Sequence, residues 1–99
     1  MSEQVSQFHE EAILDLPFVS QTNEGCISFW NTEASGHQDT DVELGSFYAL
    51  LAIETSRQFQ MPELIAMVMR DMTFSGRFGP LEAGFISVVA SAARAGRMH

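Results

Sequence analysis

The segment GHQDTDVELG, from Gly36 to Gly45, contains the residues of this sequence whose types and spacing come closest to a metal site. His37, Asp39 and Asp41 stand at every second position, and on an extended segment alternate side chains point to the same side. One imidazole and two carboxylates could bind Mg²⁺, Mn²⁺ or Ca²⁺, which favour oxygen ligands. The segment lacks the oxygen ladder, central glycine and bidentate glutamate of an EF-hand loop.

The same acidic residues also match the start of a helix, and we prefer this interpretation. Asp39, Asp41 and Glu43 cluster where the helix dipole and unpaired N–H groups favour negative charge. Thr40 followed three residues later by Glu43 matches the capping box S/T-x-x-E. The sequence therefore predicts a capped helix start with no metal or other cofactor, and His37, Asp39 and Asp41 are only weak metal candidates.

The remaining sequence offers little that resembles a catalytic centre. Cys26 and His37 could form a nucleophile–base pair, but Cys26 lies in an apolar run, where an inert buried thiol is expected. The motifs G-x-S-x-G, P-loop and G-x-G-x-x-G do not occur, and GRFGPLEAG lacks both a preceding strand and the P-loop lysine. We therefore expect a protein that is not an enzyme.

Charge is distributed unevenly along the 99 residues, whose net charge is −8. Residues 1–56 contain ten acidic side chains and no lysine or arginine, whereas residues 57–99 contain three acidic side chains and five arginines. A chain this acidic repels nucleic acid and anionic membranes, so we expect direct binding to neither. The charge suits a partner protein with a basic surface, or contacts between opposite halves of two copies, although acidity can also serve solubility alone.

Length and composition predict one folded domain in the cytoplasm. The 45% hydrophobic content is enough for one modest core, so we expect a compact domain over 12–99, preceded by a flexible or short helical segment over 1–11. The N-terminus lacks the pattern of a signal peptide, and the apolar run FISVVASAA is too short to span a bilayer. The single cysteine, Cys26, excludes an internal disulfide and is typical of a reducing compartment.

Hydrophobic patterns predict a small α+β domain in the order ββααα, a hairpin followed by three helices. Two β-rich runs, 12–19 and 26–30, flank the turn-forming segment SQTNEG. Pro17 cannot donate a hydrogen bond within a sheet, so it places the first strand at an edge or at a bulge.

Apolar residues at helical spacing predict a first helix over about 41–58. Its predicted apolar residues are Leu44, Phe47, Tyr48, Leu51, Thr55 and Phe59. Pro62 and Pro80 each stand at the start of a further helix, because proline suits the first helical position. The third helix is expected from Leu81 to about Ala95.

Two groups of residues are candidates for contact with another protein. Phe29 and Trp30 are either core residues or exposed anchors, since tryptophan is enriched at interface hot spots. The third helix carries a stripe of small residues that would let another helix approach closely, and it consists of Gly84, Ser87, Ser91 and Ala95. That second helix is either the first helix of the same chain or a helix of a second copy.

Together these observations predict a small acidic, non-catalytic protein that binds and regulates another protein and forms a homodimer. Two alternatives from other classes stay open. One is an inhibitor of the kind that phages and plasmids use against host defences, whose acidic N-terminal half mimics nucleic acid and occupies a basic channel. The other is a small metal-dependent enzyme that uses the acidic cluster at His37.

Overall fold

The computed structural model describes residues 11–95 and shows a small α+β fold, so the predicted class is confirmed. In chain order the elements are helical residues 11–14 (α1), strands Ser20–Gln21 (β1) and Ile27–Ser28 (β2), and helices Gln38–Gln58 (α2), Glu63–Ser75 (α3) and Pro80–Arg94 (α4). The strands pair antiparallel, with Ser20 opposite Ser28 and Gln21 opposite Ile27. Most of the predicted N-terminal segment, residues 1–10, lies outside the described residues.

A tight turn between Thr22 and Cys26 closes the predicted hairpin. The Thr22 amide donates to the Cys26 carbonyl at 2.8 Å, and the Cys26 amide donates to the Thr22 hydroxyl at 3.1 Å. Gly25 has a φ of +88°, a conformation that glycine adopts without steric cost. The Cys26 residue is exposed, so the expectation of a buried thiol is wrong, because the turn carries it out of the apolar layer.

The predicted first strand, 12–19, is wrong over its whole length. Residues 11–14 are helical, and β1 begins only at Ser20. The aliphatic content of this run favours a strand, but its buried residues are Ile13, Leu16, Phe18 and Val19, at spacings of three, two and one. A strand with one buried face would instead bury alternate residues.

The three long helices lie where the sequence predicts them. α2 ends at Gln58, α3 begins after Pro62, and α4 has Pro80 at its first position. None of the helices in the described part of the chain combines the length and apolar character needed to cross a lipid bilayer.

The predicted capping box at Thr40 is wrong. α2 begins at Gln38 with His37 at its N-cap, so Thr40 lies inside the first turn and is exposed. A carboxylate does satisfy a terminal amide at α4, where Glu82 Oε1 accepts a hydrogen bond from the Gly79 amide at 2.9 Å. Gly79 has no side chain, so this is one half of a capping box.

Four aromatic rings form the centre of the core and connect the hairpin region to two helices. Trp30 lies 5.0 Å from Phe85 between ring centroids, and Phe18 lies 5.2 Å from Tyr48 and 5.8 Å from Trp30. Phe18 and Trp30 flank the two strands, whereas Tyr48 and Phe85 belong to α2 and α4. Each such ring pair adds about 0.5–1.5 kcal/mol beyond its buried area, so this cluster couples all three elements.

α2 and α4 pack with their backbones in direct contact. A Cβ atom at Gly45 would overlap the Leu81 carbonyl oxygen, and one at Gly84 would overlap the Val42 carbonyl oxygen. Glycine is therefore required at both positions for the observed distance between the helices. At Gly84 the small-residue stripe packs on the first long helix of the same chain, one of the two arrangements that the sequence predicted.

The two packed helices run in the same direction. Val42 and Gly45 contact Gly84 and Leu81 in the first half of each helix, whereas Ile53 and Val88 border one groove further along both. Residue numbers thus increase in the same direction along both helices. In the sequence, α3 lies between α2 and α4 and leads the chain back to the end where α4 begins. This parallel arrangement places both N-termini at one end of the helix pair and both C-termini at the other.

Candidate interaction surface

The three weak metal candidates do not converge on a common point. His37 and Asp39 are exposed, whereas the Asp41 residue is only 2% exposed and faces Ser35. The helix begins at Gln38, and side chains two residues apart on a helix diverge by about 200°. Within residues 11–95, no group of three or more His, Cys, Asp or Glu side chains is arranged to hold a metal ion.

Asp41 instead holds the loop that precedes α2. Its Oδ1 accepts hydrogen bonds from the Ser35 amide at 2.9 Å and from the Ser35 hydroxyl at 2.7 Å. The Ser35 hydroxyl also accepts from the His37 amide at 3.1 Å. The two hydrogen bonds from Ser35, the backbone one first, hold the pKa of Asp41 below its ordinary value because they stabilise the ionised form.

Two further acids partner the buried aromatic residues Phe29 and Trp30. The Phe29 amide donates to Asp71 Oδ2 at 2.8 Å, and Trp30 Nε1 donates to Glu82 Oε2 at 3.0 Å. Phe29 and Trp30 are 9% and 5% exposed, so both belong to the core of this chain, as one of the two sequence interpretations predicted. The structure thus leaves neither ring at the surface as an anchor.

The small-residue stripe on α4 is divided between the interior and the surface. Gly84 is buried against α2, whereas Ser87, Ser91 and Ala95 are exposed. Ser91 and Ala95 line a groove between α2 and α4, and their small side chains would let another backbone approach closely.

α2 exposes three large apolar side chains, of which Phe47 belongs to the stripe of apolar residues that predicted this helix. Phe47 and Leu50 are 53% and 58% exposed, and Val42 is 37% exposed. Phe47 therefore lies outside the buried face of α2, although its spacing matches that of the other apolar residues. The buried face of α2 includes a run of small residues at helical spacing, namely Gly45, Ala49, Ala52 and Ser56, and Gly45 contacts α4 directly. This second small-residue stripe was the signal in the sequence that would have identified the buried face.

Two depressions flank α4. A groove of about 400 Å³ between α2 and α4 has a lining that includes Leu50, Ile53, Arg57, Val88, Ser91 and Ala95. A second depression of about 380 Å³ lies on the other side of α4 and is lined by Phe78, Glu82, Ala83, Ile86 and Ser87. The α2–α4 face, as we define it here, comprises Phe47 together with the groove residues Leu50, Arg57, Ser91 and Ala95. Contiguous exposed apolar surface of this kind marks interaction sites, whereas single exposed apolar residues are ordinary.

Charges at the two ends of the α2–α4 face have opposite sign. Asp39 and Glu43 are exposed in the first two turns of α2, whereas Arg57 and Arg94 are exposed in the last turns of α2 and α4. In the part of the chain that the structure describes, the one ion pair joins Arg70 to its neighbour Asp71 at 3.1 Å. The face therefore presents an acidic end and a basic end that are not neutralised by ion pairs within residues 11–95.

No family model, curated protein or solved structure matches this chain.

Proposed function

We propose that this protein is a non-catalytic, regulatory interaction protein that binds another protein through the α2–α4 face. The observation that carries the proposal is the exposure of Phe47 and Leu50 about one helical turn apart on α2, at 53% and 58%, with Leu50 lining the groove that α4 completes. Complete burial of one such side chain contributes about 1.5–3 kcal/mol, so a partner that covers both has a substantial driving force.

The roles of three acidic side chains support a non-catalytic function. Asp41, Asp71 and Glu82 are the described acids with the least exposed side chains, and each accepts hydrogen bonds that hold a loop or the hairpin region in place. A general acid or base must instead reach a proton of the substrate. These three carboxylates already accept hydrogen bonds within the protein, which disfavours such a role. We place the interaction in the cytoplasm, because the lone Cys26 suits a reducing compartment.

Site-specific photo-crosslinking in the native host tests this proposal. A photoreactive phenylalanine analogue at Phe47 keeps an aromatic side chain on the face, and the matched control carries the same analogue at Asn23, which is exposed in the hairpin turn. We expect discrete protein adducts from position 47 that position 23 does not produce. Irradiation that yields no adduct at position 47, or the same adducts at both positions, contradicts the proposal.

A further inference from the structure

We propose that the occupant of the α2–α4 face is a second copy of this chain, bound antiparallel about a two-fold axis that passes close to Leu50. This inference rests on the proposed interaction function and names its partner. A closed two-fold dimer covers one patch with the same patch of its partner, so a single self-complementary surface suffices.

The exposed side of α2 has the spacing of a helix–helix seam. Steps of four and three residues alternate along this side, through Glu43, Phe47, Leu50, Glu54 and Arg57, all of which are exposed. Such alternation keeps one stripe turned to a partner helix over several turns. Phe47 and Leu50 supply its apolar centre.

The charges select the antiparallel orientation. Leu50 lies midway in the sequence between Glu43 and Arg57, so a two-fold axis at Leu50 places Glu43 of each copy beside Arg57 of the other. A parallel arrangement would instead bring like charges together at both ends. Within one chain these two residues are 14 positions apart along a helix, about 21 Å, which is too far for an ion pair.

Sedimentation equilibrium with charge-swapped variants tests the pairing. We expect the wild type to dimerise at about 150 mM salt, where screening weakens the repulsion between two chains of net charge −8. Glu43→Arg and Arg57→Glu should each raise the dimer dissociation constant about tenfold, because every swap affects two symmetry-related pairs. The double variant should return close to wild-type affinity, and this rescue can arise only between chains.

Leu50→Asp provides an independent measure of the apolar centre, with an expected rise of the dissociation constant of about a hundredfold. Asn23→Asp in the exposed turn is its matched control and should leave the dimer unchanged. Circular dichroism confirms that each variant is folded. A monomeric wild type, or single charge swaps that weaken the dimer without rescue by the double variant, overturns the antiparallel dimer.

Mass analysis of the photo-crosslinked adducts separates failure of this inference from failure of the proposed function. An adduct at twice the 11.0-kDa chain mass identifies a second copy. Adducts at position 47 that contain only a different protein reject the homodimer but support the interaction function. The absence of any adduct rejects both.

Discussion

At the scale of single residues, Glu82 joins the hairpin region to α4 through both of its carboxylate oxygens. Glu82→Ala should lower the free energy of unfolding by about 2–4 kcal/mol, because the buried Trp30 indole N–H and the Gly79 amide both lose their acceptor. Urea unfolding followed by the fluorescence of Trp30, the one tryptophan of the chain, measures this loss. Glu63→Ala is the control, since Glu63 also lies in the first turn of a helix but is exposed. Equal losses in the two variants would contradict the role of Glu82.

Asp41 makes the stability of the loop before α2 depend on pH. Its pKa is lowered in the folded state, so its stabilising contribution is present above the unfolded pKa of about 4 and is lost as the pH falls through the lower folded value. Ser35→Ala removes the hydroxyl donor and should raise the folded pKa, which shifts the acid-unfolding midpoint to higher pH. NMR titration of the Asp41 carboxyl group measures the shift directly. Thr40→Ala removes a nearby exposed hydroxyl that does not donate to Asp41, and an equal shift there would refute the assignment.

At the scale of elements, the contact between α2 and α4 depends on the missing side chain at Gly84. Gly84→Ala should destabilise the protein by about 1–3 kcal/mol, because the new methyl group overlaps the Val42 carbonyl and pushes the helices apart. This outcome opposes the gain of about 1 kcal/mol in helix propensity that alanine otherwise brings. Thermal and urea unfolding of the variant are compared with Ser91→Ala, an exposed change on the same helix that should alter stability by less than about 0.5 kcal/mol. A stabilised Gly84→Ala would show that the two backbones are not in contact.

At the scale of the whole molecule, we expect that the acidic side chains require no bound cation. The melting temperature in millimolar Ca²⁺, Mg²⁺ or Mn²⁺ should equal the melting temperature in sodium chloride of the same ionic strength. A ligand at a hundred times its dissociation constant adds about 2.7 kcal/mol, which would raise the melting temperature by several degrees in a domain of this size. Differential scanning calorimetry of metal-stripped protein measures the shift. A rise specific to one divalent cation would restore the metal hypothesis for His37, Asp39 and Asp41.

The sequence by itself determined the positions of the long helices and of the hairpin turn. Helical spacing of apolar residues, Pro62 and Pro80 at helix starts, and Gly25 in the turn are local signals that act within a few residues. The sequence also predicted that α4 packs closely against another helix, because the small residue Gly84 permits this contact with a helix of either the same chain or a second copy.

Only the tertiary structure decided which side of α2 is buried and what each acid does. Periodicity shows which residues of a helix share one side, but not which other element packs against that side. The close contact of α2 with α4 at Gly84 requires small residues such as Gly45 on the buried side of α2. Phe47 and Leu50 therefore lie on the exposed side. Trp30 meets Glu82 from 52 positions away along the chain, and no local pattern encodes that pairing. The apolar α2–α4 face therefore follows from packing between distant segments, because the close contact of the two helix backbones leaves no room between them for large side chains.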